Sequence, residues 1–232
     1  MKKQIFFGSA ILFACLITAA FVRSPHEDAQ ESHSEAIESG EVVAHLAGRM
    51  LLDARGNIQL IGYYPFLAEL PSSLFSGVPS EATAYFTFRT SSFQAEIVPN
   101  GNIVYLFSIP ANGATNILSV YLNSHPNQDF QNPDSFSSGQ LVAQYQTERS
   151  MVTNIGSSSF DIGSIELISS PDFTFQGKTY SFRDVKTATT FLSFPATPLT
   201  GGFSPGPAVI PFGGSAIAAG SPRTHEHDED RR

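Results

Sequence analysis

A chain of 232 residues has room for one ordinary domain with appendages, or for two small ones. Hydrophobic residues make up 41%, enough for a packed core, while charged residues at 15% fall below the roughly 25% of an average soluble domain. Half of the net charge of −8 sits at the two ends: positions 42 to 222 hold eleven acids and seven bases with no basic stripe to meet phosphates, which excludes nucleic acid as a partner.

Lys2 and Lys3 precede an unbroken apolar run over residues 5–22. A short positive region, an apolar stretch and the small residues Thr18 and Ala20 make the pattern of a secretory signal, with cleavage after Ala20. Two alternatives stay open. At about 18 residues the run is just long enough to remain as an uncleaved membrane tether. The tetrad Leu12-Phe13-Ala14-Cys15 resembles the lipobox of bacterial lipoproteins, which would make Cys15 a lipidated first residue, although Phe13 is bulky where that motif prefers a small side chain. In each case the lysines stay inside and the chain from residue 23 is expected outside the cytoplasm: secreted, periplasmic or anchored. Residues 23–41 are acid-rich with few apolar side chains, so they are expected to be a flexible linker.

The folded part is expected over residues 42–195, and its composition leans toward strands, with 20 Phe, 7 Tyr and no Trp. Residues 42–52 and 57–64 read as a strand pair joined around Arg55-Gly56. A helical turn fits residues 66–70, cut off by Pro71. In residues 82–89 Ala82, Ala84, Phe86 and Phe88 alternate with Thr83, Tyr85, Thr87 and Arg89, and Phe93, Ala95 and Ile97 repeat the pattern. Pro99-Asn100-Gly101-Asn102 is a turn, residues 103–109 an apolar strand, and a second turn at residues 110–113 leads into residues 116–122. Beyond a polar loop, Leu141, Ala143 and Tyr145 alternate with Val142, Gln144 and Gln146. Phe160 and Ile162, then Ile165 and Leu167, mark another strand, with Gly163 as a bulge or bend. The segment FTFQGKTYSF reads as a hairpin in which Phe173 and Phe175 face Tyr180 and Phe182 across Gln176-Gly177-Lys178. Residues 188–194 form the last expected strand. Residues 196–232, rich in Gly, Pro and Ser and closed by HEHDEDRR, read as a disordered low-complexity tail.

Closely spaced strands without intervening helices imply an all-β antiparallel meander. It closes into an up-and-down barrel, with a two-sheet sandwich as the alternative. In plan this resembles small exported barrels of the lipocalin-like or allene-oxide-cyclase-like type, a likeness of architecture that carries no function with it.

Chemistry-bearing residues are sparse. Cys15 in the leader is the only cysteine, so the domain has neither a disulfide nor a thiolate. Nucleophile-elbow, zinc-protease and phosphate-loop motifs are missing, and the domain holds two histidines, His45 and His125. No catalytic residue, metal or cofactor is assigned. His45, between apolar neighbours in the first strand, reads as a strand residue with a satisfied imidazole.

The long loop over residues 123–140 breaks the meander, and loops of that length without secondary structure are uncommon. It carries His125, Asn127, Asp129, Phe130, Asp134 and Phe136, along with Asn132. Their oxygens suit sugar hydroxyls, with a phenyl ring on the sugar face, or a hard cation. The competing reading is plain turn chemistry, with Phe130 and Phe136 pinning the loop over the end of the domain. The expected function is therefore an exported non-enzymatic β-domain in structural or adhesive contacts at the cell envelope. The alternatives are a small-molecule or carbohydrate-binding barrel with this loop at its mouth, and a hydrolase or lyase on the same scaffold.

Overall fold

The computed structural model describes residues 37–100, 103–110, 116–155, 158–195 and 207–219. The leader, most of the acidic linker and the charged C-terminus expected from the sequence lie outside the described residues.

Among the described residues twelve strands succeed one another: β1 (Val42–Leu52), β2 (Ile58–Leu67), β3 (Phe86–Thr90), β4 (Phe93–Asn100), β5 (Ile103–Pro110), β6 (Ile117–Leu122), β7 (Gln140–Ile155), β8 (Ser158–Ser169), β9 (Phe173–Phe175), β10 (Lys178–Tyr180), β11 (Thr187–Pro195) and β12 (Ala208–Ala218). Ten of them form one antiparallel sheet, and β9 and β10 form a separate hairpin. β3 and β4 are successive segments of one wall strand, as are β5 and β6, because β3 pairs with β6 and β4 with β5. The long β7 pairs with both, Gln140–Gln146 against β6 and Arg149–Thr153 against β5. β1 pairs with β2 on one side and β12 on the other. The result is a closed eight-strand antiparallel barrel in which each wall strand lies beside its neighbours in the chain. Closure leaves the ring without a free edge.

The strand that completes the ring is the one least legible in the sequence. β12 lies beyond residue 195, inside the Gly- and Pro-rich stretch expected to be tail, so the β-domain extends to Ala218. Its alternation is real: Ile210, Phe212, Ala216 and Ala218 are buried, with Val209 and Pro211 exposed. Pro211 is tolerated because β11 pairs with β12 only over Gly213–Ala218, so at Pro211 β12 bonds to β1 alone.

Strand alternation sets the core. Leu46, Met50 and Leu52 of β1 and Leu118, Val120 and Leu122 of β6 point inward, while His45 and Arg49 point outward. Gly48 and Gly62 face each other across β1 and β2. A Cβ on Gly62 would lie 2.3 Å from the Ala47 carbonyl oxygen and 2.5 Å from Phe88 Cζ, so only glycine leaves room for the Phe88 ring there, as Gly48 does for Phe212.

Several local expectations need correcting. Residues 66 and 67 belong to β2, and residues 68 and 69 form a turn, not a helix. Glu81–Thr83 is a single 3-10 turn, so that strand starts only at Phe86, with Phe86 and Phe88 buried. In the β9–β10 hairpin the turn is Gln176-Gly177 alone, both with positive φ (50° and 80°), which places Tyr180 opposite Phe173 and Lys178 opposite Phe175. Phe182 reaches Phe173 from beyond the strand, with ring centroids 5.3 Å apart.

Candidate functional site

The chain comes in and leaves at one end of the barrel, where Gly40 N–H donates to the Ala218 carbonyl. The long connections after β2, β6 and β8 all emerge there. Aromatic side chains fill this end: Phe86 meets Phe175 at 5.0 Å and Phe173 at 5.8 Å between centroids. Farther along the bore Tyr64 and Tyr145 are fully enclosed, and burial pushes both phenol pKa values well above the ordinary range.

Beyond them the bore is not filled. A cavity of about 110 Å³ remains, walled mainly by apolar side chains that include Met50, Phe88, Val152, Leu192 and Phe194. Its polar wall is short and comes largely from β7, β8 and β11: Thr147, Ser150, Asp161 and Thr190. Thr147 and Ser150, three apart in one strand, would normally face opposite sides. They share the inner face because β7 carries a bulge: Thr147 lies opposite Ile165 and Ser150 opposite Gly163, leaving two residues of β7 against one of β8.

Asp161 is the one titratable group among the described residues that line the cavity. It sits between Val152 of β7 and Leu192 of β11, both buried and apolar. The Ser150 hydroxyl donates to its carboxylate. Oδ1, shut off from solvent, has no hydrogen-bond partner. Loss of hydration raises the Asp161 pKa from 3.8 to about 6, an effect that the Ser150 hydrogen bond offsets only in part. The residue as a whole keeps some accessible surface because it borders the cavity. A buried carboxylate oxygen without a partner is costly, so its presence in an apolar bore asks for a function.

Sequence reasoning misses Asp161 because apolar alternation assigns β8 the wrong face. By that pattern Phe160 and Ile162 belong to the core, yet Phe160 is 37% exposed and both share the outward parity. Ser159, Asp161 and Ile165 point inward instead. The available signal is the shared odd-numbered spacing of Asp161, Gly163 and Ile165.

The loop singled out from sequence lies elsewhere. Arg49, Tyr63, Thr87 and Arg89 project outward from β1, β2 and β3, and residues 123–139 fold against them along the outer wall rather than across a mouth. Phe136 is fully buried, and its carbonyl accepts a hydrogen bond from the Thr87 hydroxyl at 2.9 Å. Phe130 packs on Phe136 at 4.9 Å between centroids and lies beneath the Arg49 guanidinium at 4.6 Å. Asp134 forms an ion pair with Arg89 at 2.6 Å. These three candidates are brought together by the wall.

The others are engaged locally. The Asp129 carboxylate accepts from Gln131 N–H, Asn127 N–H donates to Gln128 Oε1, and His125 Nδ1 lies 3.0 Å from Ser124 Oγ. His45 is an outward strand residue with Nδ1 2.9 Å from Ser215 Oγ. Among the described residues no group of three His, Cys, Asp or Glu is arranged to hold a metal ion. Comparison with known proteins finds no matching family model, no similar curated protein and no similar solved structure.

Proposed function

We propose that this barrel is a binding module that takes a compact small molecule into its bore, anchored on Asp161. The observation that carries the proposal is the unpartnered, solvent-shielded Asp161 Oδ1 at the wall of an otherwise apolar cavity. An eight-strand barrel is just wide enough either to fill with side chains or to hold one small ligand, and here the aromatic end takes the first course and the Asp161 region the second. Binding is favoured over catalysis because no second acid, base or charged group among the described lining residues faces Asp161. The two lysines, apolar run and acidic linker of the first 41 residues support a location outside the cytoplasm.

A fragment screen by amide NMR on the full chain tests the reading. Interior ligands should shift the amides of Val152, Asp161 and Leu192, and Leu192→Phe, which fills the cavity, should abolish the effect. Shifts confined to His125 through Phe136 would replace the bore with the outer-wall loop as the site.

An adhesive role has a separate observation behind it. Phe160, Ile162 and Phe191 share the outer face of β8 and β11, with Ile162 directly opposite Phe191 and Phe160 diagonal to it. Phe160 and Phe191 are 37% and 41% exposed. If these side chains hold the protein to an envelope partner, Phe160→Ser with Phe191→Ser should release it from the envelope fraction. Retention unchanged in that variant would end the adhesive reading.

A further inference from the structure

The chemistry of the bore narrows the ligand class, an inference that rests on interior binding itself. Among the described residues, those that line the cavity with Asp161 are uncharged: β7 contributes Thr147, Ser150 and Val152, β11 contributes Thr190 and Leu192, and β12 contributes Phe212. The outward Arg49 and Arg89 are committed to Phe130 and Asp134 on the other side of the wall. The carboxylate therefore has a hydroxyl donor on one side and no countercharge among the described residues. A buried charge becomes stable when paired, and the missing partner must arrive with the ligand.

Size restricts it further. An apolar protein cavity of about 150 Å³ accommodates benzene, so the roughly 110 Å³ here suits a body of about four or five heavy atoms. We propose that the cavity binds a compact alkylammonium ion, its charge paired with the Asp161 carboxylate and its hydrocarbon body packed against Val152, Leu192 and Phe194. The Ser150 hydroxyl keeps its hydrogen bond to the carboxylate, and Oδ1 accepts from the ammonium. Since alkylammonium ions stay protonated through the neutral range and the Asp161 pKa is about 6, binding should weaken as the carboxylate is protonated on acidification.

The test titrates three probes that share a branched four-carbon body, isobutylamine, isobutanol and isobutyrate, into the ¹⁵N-labelled full chain, following the amides of β7, β8 and β11. Near neutral pH isobutylamine should bind at least about tenfold more tightly than isobutanol, the margin expected of a charge-assisted hydrogen bond. Its affinity should fall about tenfold by roughly pH 5. Asp161→Asn should abolish the preference while keeping a dispersed folded spectrum. Leu192→Phe, which leaves the carboxylate in place, should block both probes. Equal binding of isobutylamine and isobutanol, or a preference for isobutyrate, would overturn the ammonium assignment and leave interior binding standing. No interior shift with any probe would overturn both.

Discussion

Replacing Asp161 by asparagine should stabilise the protein at neutral pH, by an amount set by the burial of its carboxyl. In the unfolded chain the carboxyl returns to its ordinary value of 3.8, whereas in the barrel burial holds it at about 6. The native state therefore binds the proton more tightly. The contribution of the protonated carboxyl is fully present below the unfolded value and is lost as pH rises through the folded one. A difference of that size corresponds to about 3 kcal/mol lost by neutral pH, of which about 2 kcal/mol returns on acidification to about pH 4.5. The asparagine side chain does not ionise, so the difference between the variant and the native chain isolates this group from all others that titrate. Urea unfolding of both proteins, monitored by far-UV circular dichroism, should show the variant more stable by about 3 kcal/mol near pH 7.5 and by about 1 kcal/mol near pH 4.5. A stability difference that is flat over this range, or that favours the native carboxylate at neutral pH, would mean that Asp161 is hydrated or paired and would remove the basis for a ligand anchor.

Other consequences concern the wall and its closure. Gly62→Ala would push a methyl group to 2.3 Å from the Ala47 carbonyl oxygen, and should lower stability by more than about 2 kcal/mol in thermal unfolding. Gly213→Ala, whose nearest neighbour would be 3.8 Å away, should be nearly neutral, and similar losses in the two would refute the close-approach account. Phe136→Ala empties a fully buried position under the outer loop and should cost about 3–5 kcal/mol in urea unfolding. Arg89→Ala, which breaks an ion pair whose Asp134 is 83% exposed, should cost about 1 kcal/mol or less. Ending the chain before Ala208 exposes the facing edges of β1 and β11, and should give an aggregating chain without native near-UV dichroism. A monomeric, native-like product would show that β12 is dispensable.

Much of the architecture is local and so can be read in the sequence. Period-two runs such as residues 117–122 and the Gln176-Gly177 turn encode strand and hairpin through side-chain alternation and positive φ. Both are properties of neighbouring residues. The all-β class and the meander derive from them, and the preference for a barrel over a sandwich rests on the succession of short connections. Within the loop of residues 123–140, Phe130 and Phe136 are legible as anchors, although the surface they grip is not.

The remaining features depend on partners distant in sequence. Whether PAVIPFGGSAIA is a tail or a strand turns on β1, about 160 residues earlier. With β1 and β11 on its two sides, its backbone groups and its Ile210 and Phe212 find partners that no local pattern announces. The same holds for β8. Its apolar alternation faces outward, because the register with β7 and β11 assigns the inner row to Ser159, Asp161 and Ile165. Sequence alone determined that this chain makes strands. Ring closure decided which face of each strand is inside, and with it that Asp161 lies in the bore.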